Sequence, residues 1–232
     1  MTDNRPGPTR AAFRLVTTLL VLLVTVNVGI GLWYLNRTRP VKPTHLDRQN
    51  ARTDLFQQMR PDSNAIIFLG DSHTEYFPFA DLFPGLPVVN RGVSASTSAQ
   101  VLSRAVISCG PAPAMILVQA GINDLFQGRS VDQFGSDIVA LVDSLQITFP
   151  QAQIVVQSLI PTKDADMDGD VRRCNALLQK LAQQRKLPFI DLYTPFAEGD
   201  VIADRYTYDG VHLTAKGYLK WADLVRPVLA GN

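Results

Sequence analysis

The chain has few of the residues that build metal and redox centres. Its 232 residues include two cysteines, three histidines and two tryptophans. The cysteines, Cys109 and Cys174, belong to no Cys-x-x-Cys pair and no Cys/His cluster, so a zinc site is not predicted. Spacing cannot decide whether they form a disulfide, because sequence does not supply the distance between them. Two buried thiols are the interpretation that we favour.

An acidic stretch, residues 164–170, resembles the beginning of a calcium-binding loop. Asn175, however, stands where such a loop carries its last ligand, a glutamate. We therefore interpret the stretch as a solvated loop that caps a helix. We predict neither a metal ion nor any other cofactor.

The chain also lacks an excess of charge of one sign, since its net charge is +1. Residues 1–45 hold six of its 22 basic residues but one of its 21 acidic residues. The rest of the chain therefore carries 16 basic and 20 acidic residues, a net charge of −4. A mildly acidic domain has no electrostatic reason to bind nucleic acid, and we exclude that class of protein.

One long uncharged segment, Leu15–Leu35, has 21 residues, enough for a helix to cross the bilayer core. Trp33 and Tyr34 near its end favour the membrane–water interface. A cleaved signal peptide is the alternative, but its apolar region is usually only about 7–15 residues long. We expect a tail over residues 1–14, a permanent transmembrane anchor over 15–35, a linker over 36–45 and a globular domain over 46–232.

The orientation of this anchor does not follow from charge, because basic residues flank it almost equally. These residues are Arg5, Arg10 and Arg14 before it, and Arg37, Arg39, Lys42 and Arg48 after it. By default we adopt the arrangement common in bacteria: a single pass through the inner membrane, with the domain on the periplasmic or extracytoplasmic side.

Apolar strand-like runs alternate with segments of helical spacing from Leu46 onward. The predicted strands are Ala65–Leu69, Pro87–Val89, Ala114–Val118, Gln153–Ile160 and Pro188–Leu192. The predicted helices are Leu46–Met59, Ser96–Ser108, Val131–Thr148, Val171–Lys186 and Thr214–Leu229. This order predicts an α/β fold with a parallel sheet covered on both faces. Reactive residues are then expected beyond the carboxyl ends of the strands.

Polar residues follow the first three predicted strands. Ser72, in Gly70-Asp71-Ser72-His73, follows the first strand, where its hydroxyl could act as a nucleophile or merely cap a helix. Gly92, after the second strand, could bring a backbone N–H close to a ligand or simply form a turn. Asn123, after the third, could direct its amide to the same place or also form a turn.

His212 is the best available base for Ser72. His45 lies in the predicted linker, and His73 is directly beside Ser72, where the backbone generally aims neighbouring side chains apart. Asp209, three residues before His212, can accept a hydrogen bond from the imidazole and hold its tautomer, as the acid does in a Ser-His-Asp triad. An ordinary surface loop remains the alternative for this segment alone.

Together these segments resemble, in order, the sequence blocks of the SGNH hydrolase family. The resemblance is to its GDSL-like members, which are related to lysophospholipases and acetylesterases. It extends from about Asn64 to Val228 and includes the stretches IIFLGDSHTEYF, LPVVNRGVS, VQAGINDL, VVQSLIPT and YTYDGVHLTAKGYLKWA. The fold that it implies is a compact three-layer α/β/α, flavodoxin-like domain with a five-stranded parallel sheet.

The resemblance also implies a serine ester hydrolase. Ser72 matches the nucleophile, His212 the base and Asp209 the acid that orients the base. The backbone N–H groups of Ser72 and Gly92 and the side chain of Asn123 match the oxyanion donors. No metal or other cofactor is implied.

The substrate and the acyl acceptor remain open. The expected substrate is an acyl ester: an O-acetylated envelope glycan, a small ester or a lysolipid. A domain of about 187 residues has little room for a lid, which favours short acyl groups on an accessible substrate. Phe77, Phe79 and Phe83 could line an acyl pocket or pack under a loop. An O-acyltransferase is one alternative, because some SGNH acyltransferase domains also carry a histidine where His73 stands. A non-catalytic glycan-binding domain is another, and the oligomeric state is not predicted.

Overall fold

The computed structural model describes residues 10–37 and 44–231, which divide into two units after Pro43. In the first unit, α1 (Arg10–Arg37) contains the predicted span 15–35. Its segment Phe13–Tyr34 is apolar and long enough to cross a membrane, criteria that a signal sequence also meets. Most of the predicted linker lies outside the described residues. His45, which we expected in the linker, is instead the first residue of a helix of the second unit.

Five parallel strands form the centre of the second unit. They are β1 (Ile66–Gly70), β2 (Val88–Gly92), β3 (Met115–Gln119), β4 (Gln153–Gln157) and β5 (Phe189–Ile190), in the order β2-β1-β3-β4-β5. Ile67 pairs with Val89 on one side and with Ile116 on the other. The predicted five-stranded parallel sheet is confirmed, and its strand order is that of flavodoxin-like folds.

Helices cover both faces of the sheet. They are α2 (His45–Gln58), α3 (Ser72–Glu75), α4 (Phe79–Leu82), α5 (Ser98–Ser108), α6 (Ile122–Phe126), α7 (Val131–Thr148), α8 (Asp168–Arg185) and α9 (Ala215–Ala230). Short 3₁₀ turns occur at Ala165–Met167 and Asp204–Tyr206, and β6 (Ala197–Glu198) pairs antiparallel with β7 (Val201–Ile202).

Capping residues fix where several helices begin. Thr97 accepts a hydrogen bond from Gln100 N, and the Gln100 side chain accepts one from Thr97 N, a complete capping box at the start of α5. Thr44 and Ser130 form the same arrangement at α2 and α7. These caps satisfy backbone donors that the first turn of a helix would otherwise leave unpaired.

Each face of the sheet has its own apolar core. Side chains of α5, α7 and α8 cover one face, with Phe134, Leu141 and Leu178 buried there. The other face is covered by α9 and the segment after β1, with Trp221 and Phe68 buried. The three-layer α/β/α arrangement is therefore confirmed, and the favoured interpretation of Cys109 and Cys174 as free, buried thiols is also confirmed.

Two local differences from the predicted elements have clear causes. β4 ends at Gln157 rather than Ile160, because the N–H and C=O of Leu159 both bond to the side chain of Asn175, at 2.7 and 3.1 Å. Phe77, Phe79 and Phe83 are only 3–5% exposed and pack around Phe68. They therefore belong to the core and do not line an acyl pocket.

Candidate active site

Ser72, His212 and Asp209 form a continuous hydrogen-bonded chain. Ser72 is the first residue of α3, directly beyond the carboxyl end of β1. Its Oγ lies 3.1 Å from His212 Nε2, and His212 Nδ1 lies 2.6 Å from Asp209 Oδ2. The structure thus brings together three predicted site residues that are up to 140 positions apart in sequence. Nucleophile, base and orienting acid have this connectivity in serine hydrolases.

The carboxylate of Asp209 organises the turn that carries His212. Its Oδ1 accepts hydrogen bonds from the backbone N–H groups of Val211 and His212, at 3.0 and 2.7 Å. Partial burial opposes the charged form of Asp209. The hydrogen bonds from the His212 side chain and from the two backbone N–H groups outweigh burial, so the pKa of Asp209 is lowered. The acid is therefore charged at neutral pH and accepts from Nδ1, which leaves the Nε2 lone pair directed at Ser72.

Two buried side chains, Asp71 and Arg104, support the turn that carries Ser72. Asp71, fully buried, caps α3 by accepting from His73 N at 3.0 Å. Burial raises the pKa of Asp71, against the opposing effects of His73 and Arg104. Arg104 donates to Gly70 O at 2.7 Å, and burial lowers its pKa to about 10, so it remains charged at neutral pH.

His73 contacts the turn that carries His212 and not the side chain of Ser72. Its side chain is 1% exposed, and its Nε2 lies 2.8 Å from the carbonyl oxygen of Val211, the residue before His212. Because a carbonyl oxygen can only accept, Nε2 carries a proton and donates it. Sequence reasoning missed this link between His73 and the turn that carries His212. The burial of a histidine next to Ser72 gives no sequence signal by itself.

The structure contradicts the prediction for Gly92 and shows which contact Asn123 makes. The N–H of Gly92 is already donated to the side chain of Asn90, at 2.9 Å, so it is not available to an oxyanion. A glycine stands at position 92 because β2 passes so close to α3 that a Cβ would overlap the backbone of Thr74 and Glu75. Asn123, in α6 beyond β3, directs its amide to the carbonyl of Ser96 at 3.1 Å, across the loop that follows β2.

Ala95, in this same loop, is a candidate backbone donor that the sequence did not suggest. Neighbouring N–H groups are used: that of Ser94 bonds to Glu75 Oε2 and that of Ser96 to Val93 O. Within the described chain, the N–H of Ala95 meets no acceptor. Ala95 also has a φ of +60°, a left-handed conformation that costs a non-glycine residue about 1–2 kcal/mol. Strain of this kind clusters at functional sites, and only the fold reveals it.

Comparison with known proteins shows the family of this chain. The profile of the GDSL-like lipase/acylhydrolase family matches residues 68–220, which include Ser72 and His212. The chain belongs to this family. It is therefore a hydrolase that acts on carboxylic esters. The chain is 27% identical over 169 residues to platelet-activating factor acetylhydrolase IB subunit alpha2 of Rattus norvegicus, covering 67% of this chain and 71% of the relative.

Solved structures share the fold of this acylhydrolase. A GDSL-like lipase from Bacteroides thetaiotaomicron has a TM-score of 0.70 at 21% identity, covering 79% of this chain and 97% of that one. The acetyl xylan esterase AlAXEase has a TM-score of 0.58 at 19% identity, covering 71% of this chain and 99% of that one. At these identities the likeness concerns the fold alone.

Two tyrosines flank the imidazole of His212 in this acylhydrolase. The ring of Tyr76 lies 5.5 Å from that of His212, and the ring of Tyr208 lies 6.0 Å away, stacked at 20°. Tyr76 is 47% exposed and Tyr208 66%. Large aromatic faces that border a reactive group and remain open to solvent can pack against an amphipathic substrate.

Asp124, next to Asn123, holds α6 in place by hydrogen bonds to Ser98. Its carboxylate accepts from Ser98 N and Ser98 Oγ, both at 2.7 Å, and lies 3.1 Å from Arg129 Nε. Burial raises the pKa of Asp124, against the hydrogen bonds from Ser98 and the charge of Arg129. These contacts connect α6 to the start of α5, so Asp124 has a structural role.

Proposed function

We propose that this acylhydrolase removes short acyl groups, above all acetyl, from hydroxyl groups of an envelope carbohydrate, through an acyl-enzyme on Ser72. The hydrogen-bonded chain Ser72–His212–Asp209 carries the proposal, because it joins a hydroxyl, an oriented imidazole and a charged carboxylate in the order that acyl transfer requires.

In the proposed mechanism His212 first accepts a proton and then donates it, in each of the two steps. Its Nε2 accepts the proton of Ser72 as Oγ attacks the ester carbonyl, and Asp209 stabilises the imidazolium that forms. The imidazolium then protonates the leaving alcohol. A water molecule attacks the acyl-enzyme by the reverse sequence and releases the acid, which regenerates the Ser72 hydroxyl.

The proposed oxyanion donors are the N–H groups of Ser72 and Ala95 and the side-chain amide of Asn123. Ala95 takes the place that we first gave to Gly92. In the described chain, neither the N–H of Ser72 nor that of Ala95 meets an acceptor, so both are free for a developing negative charge. One such donor typically contributes about 10²- to 10³-fold to kcat.

The preference for short acyl groups rests on what surrounds Ser72. Phe77, Phe79 and Phe83, the phenylalanines that follow Ser72 in the chain, are buried in the core. The groups that flank His212 are the amphipathic rings of Tyr76 and Tyr208. Amphipathic rings suit the alternating polar and apolar surface of a sugar better than a hydrocarbon chain.

Placement at the envelope rests on α1. Its segment Phe13–Tyr34 is long and apolar enough to cross a bilayer. In this proposal α1 is a permanent anchor in the bacterial inner membrane, and the catalytic domain lies on the periplasmic side, where envelope carbohydrate is accessible.

The proposal is tested with p-nitrophenyl esters of increasing chain length and with acetylated and deacetylated oligosaccharides. We expect the rate to be highest for acetate and to fall steeply beyond butyrate. We also expect acetate release from the acetylated glycan and labelling by a fluorophosphonate probe. A maximum at long acyl chains would contradict the short-acyl preference, and release of fatty acid from lysophospholipid alone would exclude the glycan.

The control is Ser72→Ala, which should fold normally but lose hydrolysis and labelling, because the hydroxyl supplies chemistry rather than packing. Hydrolysis that survives in Ser72→Ala would remove Ser72 as nucleophile. Transfer of acetyl to an added sugar in preference to water would identify a transferase, and glycan binding without labelling would identify a binding domain.

A further inference from the structure

A small polar cleft opens beside the proposed oxyanion loop. It has a volume of about 140 Å³ and lies between α2 and the segments that follow β1 and β2. The side chains that matter here are His45, Arg48, Gln49 and Arg52 on one wall, and Tyr76 and Ser94 on the other. The α2 wall precedes the family match, which begins at residue 68, and the proposed mechanism assigns this wall no role.

The cleft adjoins the reaction centre. Tyr76, in its wall, has its ring 5.5 Å from that of His212, and Ser94 immediately precedes Ala95. Glu75, also in the wall, is the last residue of α3, which begins with Ser72. Three residues along a helix rise about 4.5 Å. A substrate whose ester lies at Ser72 can therefore reach the cleft with a group only a few ångströms from the ester.

The α2 wall is fixed in place by hydrogen bonds to the loop. Gln49 Nε2 donates to Ser94 O at 2.9 Å, and Arg52 Nε donates to Gly92 O at 2.6 Å. Gln49 Oε1 in turn accepts from Gln100 Nε2 of α5 at 3.1 Å. Phe56 is buried beneath the guanidinium of Arg91, whose carbon lies 4.5 Å from the ring. The wall is therefore built before any ligand arrives, which lowers the cost of binding.

The charges in the cleft leave one cation uncompensated. Glu75 is the carboxylate of the cleft, and its Oε2 accepts from Ser94 N and Ser94 Oγ, both at 2.6 Å, while its Oε1 faces Arg52 at 3.5 Å. Arg48 makes no ion pair or hydrogen bond from its side chain within the described chain, and His45 likewise has a free ring. An unpaired guanidinium thus lines this cleft in a region, residues 46–232, whose net charge is −4.

We propose that the cleft is a subsite for an anionic group, a carboxylate or a phosphate, that the substrate carries next to its ester, with Arg48 as the principal donor. A guanidinium matches both anions, since it offers two parallel N–H donors. The inference deepens the proposed function and rests on it. It restricts the substrate class to acidic acylated molecules, such as acetylated uronic-acid glycans or acetylated phosphoglycans.

Matched substrate pairs test the inference. One pair is the O-acetylated dimer of galacturonic acid and that of galactose, and the other is acetyl glycerol phosphate and acetyl glycerol. We expect wild type to favour the charged member of at least one pair by about tenfold in kcat/KM, the scale of one charge-assisted hydrogen bond. The pair that shows the preference identifies carboxylate or phosphate as the anion. The preference should weaken with added salt, because the cleft is open to solvent.

Arg48→Gln should abolish this preference, lowering the charged-to-neutral ratio of kcat/KM about tenfold. Arg60→Gln is the matched control, because Arg60 is an exposed arginine just after α2 that does not line the cleft. It should leave the ratio unchanged. Equal rates within both pairs, or a ratio that Arg48→Gln leaves intact, would overturn the inference.

A binding measurement separates this inference from the proposed function. In the Ser72→Ala background, calorimetry with the acetylated galacturonic acid dimer and with acetyl glycerol phosphate should show about tenfold weaker binding of one of them when Arg48→Gln is added. Hydrolysis of neutral esters without binding discrimination would sink the subsite alone. Discrimination in binding without hydrolysis of any ester would sink the proposed function and keep the subsite.

Discussion

Asp209→Asn is the substitution for which the structure makes the sharpest prediction. The asparagine can keep its Oδ1 as acceptor for the backbone N–H groups of Val211 and His212, so the turn should persist. Its amide N–H₂, however, replaces the carboxylate oxygen that lies 2.6 Å from His212 Nδ1. Two donors cannot face each other, so the neutral imidazole adopts the other tautomer.

In that tautomer the proton of His212 sits on Nε2 and points at Ser72 Oγ, 3.1 Å away. The imidazole then donates to the hydroxyl and cannot accept its proton. We expect kcat/KM to fall by about 10²- to 10⁴-fold, or about 3–5 kcal/mol of transition-state stabilisation. His212→Ala should be as severe or worse. The double variant should be little worse than His212→Ala alone, because the pair acts as one catalytic unit.

The assay is hydrolysis of p-nitrophenyl acetate at about pH 8, with circular dichroism to verify the fold. The lowered pKa of Asp209 means that its carboxylate stabilises the fold above its unfolded pKa, about 3.9, and that this contribution is lost as pH falls through the folded pKa. The acid is thus charged throughout the assay. Asp223→Asn, an exposed change on α9, is the control. A loss below tenfold, or losses that multiply in the double variant, would refute the reasoning.

Three further predictions concern His73, the close approach of β2 to α3, and the N-terminal helix. His73→Leu should lower kcat ten- to a hundredfold with little change in KM. His73→Gln can still donate a hydrogen bond to Val211 O and should retain most activity. Equal activity of the two variants would contradict a positioning role for His73. Gly92→Ala should lower the free energy of unfolding by about 1–3 kcal/mol in chemical denaturation, because the added Cβ overlaps the α3 backbone. Ala95→Gly should be tolerated, since glycine adopts a positive φ without strain. A Gly92→Ala variant as stable as wild type would refute the close approach. A C-terminal alkaline phosphatase fusion should be active in bacteria, and a mature N-terminus beyond residue 31 would rule out the anchor.

Most of the fold could be predicted because buried strands and helices have recognisable patterns of apolar residues. Buried strands such as Ile66–Gly70 are continuous apolar runs, and helices such as Val131–Thr148 show their apolar face at helical spacing. The hairpin Ala197–Ile202 and the four-residue helices were missed, since two-residue strands and single turns have no period to detect.

The candidate site was only partly predictable, because its donors depend on contacts between distant segments. Ser72 stands out in sequence because it follows a predicted strand, and Asp209 and His212 because they precede the last predicted helix in a chain with only three histidines. Gly92 was assigned wrongly as a donor because glycine permits two explanations, a close approach and a free N–H, and only the crossing with α3 distinguishes them. Ala95 has no local signal, since alanine is ordinary everywhere except at a positive φ.

Helix α2 has a practical consequence for anyone who wishes to handle this enzyme without its apolar segment. The family match starts at residue 68, which invites a cut just before β1. Such a shortened protein would retain the sheet and the triad, yet it would lose Gln49 and Arg52, whose hydrogen bonds steady the loop that carries Ala95. It should fold and still be a poor catalyst. A cut between Arg37 and Thr44 removes the apolar segment and preserves α2 and its cap, so the shortened protein should keep its activity.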